Sequence, residues 1–98
     1  SMRLQEDEYI WAVTFTSRDD GHRCTAAYFT DQREADRFCR ERAYGDDQRV
    51  VQTTLWKDGD GNFYEVRYTP INVDEHVHRR EALRKLSDAE KRALGVPR

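Results

Sequence analysis

The chain has 98 residues, of which 17 are basic and 19 acidic, and its formal net charge is −2. This length suits one domain with a single core, and the near balance of charge excludes a strong overall field that would recruit nucleic acid or an anionic membrane. Ser1 and Met2 resemble the remnant of a removed tag, and no secretory signal or membrane span follows, so we expect one domain over residues 3–98 and no membrane partner.

The first predicted element is a strand over residues 9–16, YIWAVTFT. All of these residues except Ala12 are β-branched or aromatic, as is typical of a strand. In a strand, Tyr9, Trp11, Val13 and Phe15 would share one face, and Ile10, Ala12, Thr14 and Thr16 the other. The turn-forming pair Asp20-Gly21 follows, and a second apolar run covers residues 23–29. This order predicts an antiparallel hairpin.

Residues 32–44 predict an amphipathic helix. Asp31 and Glu34 have the spacing of a capping box at its start, and apolar residues recur at helical intervals through the segment. We expect Gly45 to take the left-handed conformation that commonly ends a helix.

Two further strands are predicted over residues 49–57 and 62–69, with the turn sequence DGDG between them. In the second of these strands, Tyr64, Val66 and Tyr68 alternate with polar residues, which predicts one drier and one wetter face. Pro70 is expected to end the strand.

The chain is strongly charged from Asp74 onward, but a narrow apolar stripe predicts a helix of about three turns. Ser87 and Glu90 then have capping-box spacing, which predicts a second short helix, and Gly95-Val96-Pro97 supplies its stop. We therefore expect one or two short helices at the C-terminus.

The predicted fold is α+β, with the order β-β-α-β-β-α(-α): a four-stranded, mainly antiparallel sheet with the central helix on one face. One helix of about thirteen residues is too small to cover both faces of a sheet so rich in aromatic residues. We therefore expect either the C-terminal helix or another chain to cover the rest.

The segment KDGDGNF, residues 57–63, resembles the centre of a calcium-binding loop. When Asp58 and Asp60 are aligned with the third and fifth ligands of an EF-hand, however, Trp56 and Arg67 take the places of two essential carboxylates. Gly59 and Gly61 are typical of tight hairpins. The segment therefore predicts a plain turn.

His76 and His78 are the weak candidates for a metal site. They would share a face in an extended segment, but in a helix they diverge by about 200° and cannot chelate one ion together. We predict no metal and no cofactor. The chain contains no recognisable catalytic motif, and acid-base or metal-dependent catalysis through His22, His76 or His78 is the third hypothesis for its function.

The hypothesis that the sequence favours is a non-catalytic domain that binds another protein or associates with itself through its sheet. Aromatic residues next to arginine are enriched where proteins meet, and Trp11 and Trp56 are the preferred anchors. The candidates for this surface are Trp11, Trp56, Tyr9, Tyr64 and Arg67. Burial of both indoles in the core of the domain itself is the alternative for them.

The second hypothesis is a nucleic-acid-binding accessory domain that uses the basic C-terminal helices. Its candidate residues are Arg79, Arg80, Arg84, Lys85, Lys91 and Arg92. Acidic residues interrupt this run, as they do on a solvated helix face, whereas nucleic-acid surfaces usually segregate their charge.

Cys24 and Cys39 have no paired spacing typical of metal sites, which predicts buried free thiols and a reducing, cytoplasmic environment. Fourteen of the 17 basic residues are arginine. This bias is common in proteins from GC-rich genomes, and it favours a bacterial or phage source. For a binding domain of this size from such a source, we expect an accessory or inhibitory role.

Overall fold

The computed structural model describes residues 3–66 and 69–96, and this part of the chain forms five strands and three helices. In chain order the elements are β1 (Gln5–Thr16), β2 (Arg23–Phe29), α1 (Gln32–Glu41), β3 (Asp46–Lys57), β4 (Phe63–Val66), β5 (Thr69–Ile71), α2 (Glu75–Arg84) and α3 (Asp88–Ala93). The α+β class is confirmed.

The strands form one antiparallel sheet in the order β2-β1-β3-β4-β5. The prediction of four strands is wrong, because the segment expected to be one strand over residues 62–69 is divided into β4 and β5. Pro70 does not end a strand but lies within β5, opposite Tyr64. Proline lacks the amide proton that a central strand must donate, and β5 tolerates it because it is an edge strand.

β1 begins at Gln5, four residues before the predicted start. Its first residues, Gln5, Glu6 and Asp7, pair with the end of β3 from Leu55 to Lys57. This extension was not predictable from local pattern, because these residues are polar and do not alternate with apolar ones. Since β2 reaches only as far as Phe29, opposite Trp11, the acidic start of β1 has no strand on its other side within the described residues.

Both faces of the sheet are buried along the centre of β1. On the side of α1, Val13 and Phe29 form a cluster with Ala35 and Phe38 of the helix. On the opposite side, Ile10 and Leu55 are almost completely buried, at 0% and 2% exposed. Each apolar side chain of this size stabilises the fold by about 1.5–3 kcal/mol when it is removed from water.

The curl of the sheet helps to cover the side away from α1. Glu65 of β4 lies near the Tyr28 hydroxyl of β2, although β1 and β3 separate the two strands in the sheet; burial is the main cause of the raised pKa of Tyr28, and the Glu65 carboxylate adds to it. Pro70 and Ile71 of β5 line a cavity together with β2. The sheet itself therefore covers part of this side, a contribution that the sequence analysis, which considered the C-terminal helix or another chain, did not predict.

α1 starts as predicted but ends earlier, and for a different reason. The Asp31 side chain accepts a hydrogen bond from the Arg33 amide at 2.8 Å. At the other end, the side chain of Gln48 in β3 makes three hydrogen bonds. Its Nε2 donates to the backbone carbonyls of Cys39 and Arg42, and its Oε1 accepts from the backbone amide of Tyr44. These bonds satisfy carbonyl groups that a helix end leaves without partners, so the helix stops at Glu41.

Gly45 does not have the left-handed conformation that the sequence predicts. It is needed because the chain passes close to β1 at this point. A Cβ atom at Gly45 would overlap the Thr16 carbonyl oxygen and lie 2.6 Å from the Phe15 ring. Glycine is therefore required at this position because there is no space for a side chain.

α2 packs beside α1 on the same side of the sheet, where Val77 contacts the cluster around Phe38. Its start is fixed to the end of β2: the Asp74 amide donates to the Tyr28 carbonyl, and the Asp74 carboxylate accepts from the Thr30 amide and hydroxyl. In α3, Ser87 and Glu90 form the predicted capping box, with bonds of 2.9 and 3.0 Å. Pro97, the last residue of the predicted stop, lies outside the described residues.

Candidate binding site

A groove of 310 Å³ lies between α1 and α2. Four apolar side chains line it: Phe29, Phe38, Val77 and Leu83. Phe29 and Phe38 are buried in the core, whereas Val77 and Leu83 of α2 are half-buried. The groove therefore has an apolar floor formed by the core itself and an apolar wall formed by α2.

Charged side chains surround this floor, and most of them are positive. The six cations are Arg37, Arg42, Arg79, Arg80, Arg84 and Lys91, and the two carboxylates are Glu34 and Glu41. We call the whole feature, the four apolar residues with these eight charged residues and His76, the basic groove.

Both carboxylates of the basic groove are bound by arginine. Arg80 donates two hydrogen bonds to Glu34, at 3.0 and 2.8 Å, and Arg37 donates one to Glu41 at 3.0 Å. The hydrogen bonds from Arg80 lower the pKa of Glu34 and raise that of Arg80. The two carboxylates are consequently neutralised within the groove.

Three cations of the basic groove have a different environment. Arg42, Arg79 and Lys91 have no carboxylate oxygen within 4.0 Å in the part of the chain that the structure describes. The Arg42 guanidinium lies 4.9 Å from the centre of the Phe38 ring, a cation–π geometry. The groove therefore retains a net positive charge above its apolar floor.

His76 lies inside the basic groove, with its ring centre 4.7 Å from that of Phe38. Burial lowers the pKa of His76, and the positive charge of Arg42 lowers it further. His78 is exposed and lies on another side of α2, because the segment is helical. Across residues 3–66 and 69–96, no three histidine, cysteine or acidic side chains are grouped as metal ligands.

The aromatic candidates for protein binding have different environments. Trp11 is half-buried and packs against the core, and Tyr64 is buried, with its hydroxyl donating to Asp58 at 2.9 Å. Tyr9 is 69% exposed and Trp56 37% exposed. Arg67 lies outside the described residues. Of the predicted aromatic anchors, only Tyr9 and Trp56 therefore present a substantial surface to solvent.

The basic candidates from the C-terminal helices are divided by the fold. Arg79, Arg80, Arg84 and Lys91 line the basic groove, whereas Lys85 and Arg92 are exposed outside it. The sequence interpretation missed Arg37 and Arg42 as members of the same site. Their signal was the four arginines between residues 33 and 42, whose alternation with acidic residues is also typical of a solvated helix face.

The KDGDGNF segment is a turn built around one carboxylate. Asp58 accepts hydrogen bonds from the Asp60 amide, the Asn62 amide and side chain, and the Tyr64 hydroxyl, at 2.9 to 3.2 Å. Desolvation opposes the ionisation of Asp58, but these bonds outweigh it and lower the pKa. The same contact raises the pKa of Tyr64.

Cys24 and Cys39 are both free thiols, and they are half-buried rather than fully buried as predicted. Cys39 packs against the core cluster, and the Cys24 sulfur lies 3.6 Å from the His22 carbonyl oxygen. His22 itself is exposed, next to Asp20. These contacts are those of cysteines whose role is to pack against neighbouring residues.

Comparison with known proteins finds no match to this chain among protein-family models, curated proteins or solved structures. Within the described residues, none of the helices has the length and apolar character required to cross a bilayer. The geometry of the basic groove is therefore the basis on which a function can be inferred.

Proposed function

We propose that the protein is a non-catalytic domain that binds another protein, and that the basic groove holds a segment of this partner. The observation that carries the proposal is the combination of an apolar floor with cations that have no carboxylate beside them. An apolar floor provides a contact that excludes water, and charged groups at the rim select and orient the partner.

The overall dimensions of the chain support a binding role. It exposes 7288 Å² of surface, about a quarter more than a compact monomer of 11.7 kDa. Its radius of gyration is 15.7 Å, compared with about 13 Å for a compact domain of this length. A partner in the groove would cover part of the surface that lies between α1 and α2.

Association of two copies through the free edge of β1 is less compatible with the charges. The start of this edge carries Glu6, Asp7 and Glu8, all in the region where β2 no longer pairs with β1. Two such edges would bring like charges together, which is a common means by which proteins prevent edge-to-edge pairing. The repulsion between these carboxylates favours the basic groove over the sheet edge as the docking surface.

A second candidate function is nucleic-acid binding, and the excess of cations over carboxylates in the basic groove is the observation that favours it. Phosphate oxygens could contact Arg79, Arg84 and Lys91 in the same way as carboxylates would. An experiment that distinguishes a protein partner from a nucleic acid is therefore required.

Site-specific photo-crosslinking in cells of the source organism provides this experiment. A benzophenone amino acid replaces Leu83 in the basic groove, Trp56 on the sheet, or Arg33 as an exposed background position on α1. We expect a protein adduct from position 83 that position 33 does not give. An adduct from position 56 alone, or an adduct at 83 that nuclease removes, would overturn the assignment of a protein partner to the groove.

A further inference from the structure

We propose that the occupant of the basic groove is an acidic segment of the partner protein that carries one bulky apolar side chain. This inference rests on the proposed function, and it specifies the chemistry of the segment. The cations of the basic groove would bind the carboxylates of this segment, and the apolar side chain of the segment would insert against the floor of the groove.

The charges of the basic groove support an acidic segment. Glu34 and Glu41 are already bound by Arg80 and Arg37, so the carboxylates of the lining are engaged within the protein. Arg42, Arg79 and Lys91 remain without such a partner among the described residues. Arg79 belongs to α2, Lys91 belongs to α3, and Arg42 directly follows α1. Because the three cations come from different segments, the site can contact carboxylates from several directions.

The apolar floor supports a bulky side chain next to the carboxylates. Val77 and Leu83 are half-buried on the wall, and Phe38 closes the bottom. The volume of 310 Å³ is near the lower limit of about 300 Å³ for typical ligand sites. It therefore suits a single large apolar side chain with its neighbours, since a longer apolar face would need a longer groove.

The surroundings of Phe38 disfavour a stacked base as the occupant. Phe38 is only 5% exposed, and its ring is next to Phe29, Tyr44 and His76, with the Arg42 guanidinium also beside it. Single-stranded nucleic acids bind through exposed aromatic faces on which successive bases stack. The basic groove offers no such exposed ring, so its floor favours an inserted side chain over a stacked base.

The test uses the whole protein and four fluorescent probes in anisotropy titrations at low salt. The first is a short glutamate-rich peptide with one central phenylalanine. In the second peptide glutamine replaces glutamate, in the third alanine replaces the phenylalanine, and the fourth probe is oligo-dT. We expect the first peptide to bind at least about tenfold more tightly than the second and the third, because each lacks one of the two contacts.

Substitutions in the groove connect binding to the proposed residues. We expect Arg79→Ala and Lys91→Ala each to weaken binding of the first peptide about two- to fivefold, as the loss of an exposed ion pair does. Leu83→Ala should weaken it about tenfold through loss of apolar contact. Arg40→Ala removes the same charge from an exposed position outside the groove and should leave binding unchanged. Circular dichroism confirms that each variant is folded.

The outcomes separate this inference from the proposed function. If the first two peptides bind equally in the groove, the inference of an acidic segment is wrong, but a protein crosslink at position 83 would still support the proposed function. If oligo-dT binds in preference to the acidic peptide, the inference of an acidic segment is also wrong. Light scattering adds a further arm: a dimer that Leu83→Asp dissociates would assign the groove to a second copy and overturn the inference.

Discussion

Arg80 of α2 donates two hydrogen bonds to Glu34 of α1, one from each terminal guanidinium nitrogen to a separate carboxylate oxygen. This bidentate bond connects the two helices that form the basic groove, and Val77 provides the apolar contact beside it. Arginine is suited to this role because its planar fork matches the geometry of a carboxylate. The width of the groove therefore depends on a polar contact and an apolar contact together.

We expect Glu34→Gln to lower the free energy of unfolding by about 0.5–1 kcal/mol at neutral pH, because glutamine keeps the shape but loses the charge. The pKa of Glu34 in the folded protein lies below its ordinary value of 4.5. The contribution of the ion pair is thus complete above pH 4.5 and is lost as the pH falls through the folded pKa. Urea unfolding across this range measures it, and the difference between wild type and variant should disappear in acid.

Glu81→Gln is the matched control for this prediction, because Glu81 pairs with Arg84 within α2 and does not connect the two helices. An equal loss of stability in both variants would mean that the contact between α1 and α2 has no special role. The Arg80→Ala variant should also increase the exposure of the groove floor, which binding of a hydrophobic dye would report.

Gly45→Ala should destabilise the protein by about 1–3 kcal/mol, the range for overpacking a closed space. A methyl group at this position would overlap the Thr16 carbonyl and the Phe15 ring, so either the connection after α1 or the end of β1 must move. Thermal unfolding followed by circular dichroism measures the change.

Gly59→Ala is the control for this substitution, since nothing lies within 4 Å of a Cβ atom at Gly59. We expect it to leave stability unchanged or to raise it by about 0.5 kcal/mol, because alanine restricts the unfolded chain. A Gly45→Ala protein as stable as the Gly59→Ala protein would contradict the close approach of the chain to β1.

Asp58→Ala should lower the pKa of Tyr64 toward its ordinary value of 10.0. The hydrogen bond to Asp58 is the main cause of the raised pKa of Tyr64, since loss of the phenolic proton removes the donor and places two negative charges together. Spectrophotometric titration of the tyrosines, with Tyr64→Phe to identify the signal, measures this shift. Asp60→Asn is the comparison, because the Asp60 carboxylate raises the pKa of Tyr64 only through its charge and makes no hydrogen bond to the hydroxyl, so it should lower this pKa less than Asp58→Ala does. An unchanged titration of Tyr64 in Asp58→Ala would contradict the contact.

Local patterns in the sequence predicted the first hairpin and the helices. The turn at Asp20-Gly21 forms as expected, with Gly21 at a φ of 74° and the Ser17 amide bonded to the His22 carbonyl. The capping box of α3 likewise depends only on residues three positions apart. Such elements are predictable because the residues that stabilise them are close in sequence.

Features that depend on distant residues were not predictable in the same way. The acidic start of β1 is a strand only because β3 pairs with it, and the end of α1 is set by Gln48 of β3. Glu34 had the spacing to complete a capping box, but it bonds Arg80 of α2 instead. The basic groove was missed for the same reason, since its residues meet only when α2 packs on α1.

Burial of His76 beside Phe38 makes the contact between α1 and α2 dependent on pH. The pKa of His76 in the folded protein lies below its ordinary value of 6.5, first because the ring is buried and then because Arg42 is nearby. The unfolded chain therefore binds the proton more readily, and stability is complete above pH 6.5 and decreases as the pH falls below it. We expect His76→Gln to remove this decrease, measured as the melting temperature from about pH 7.5 to about pH 5.5. His78→Gln, which alters an exposed histidine on the same helix, should retain the decrease of the wild type; if it removed the decrease and His76→Gln did not, the placement of His76 against Phe38 would be wrong.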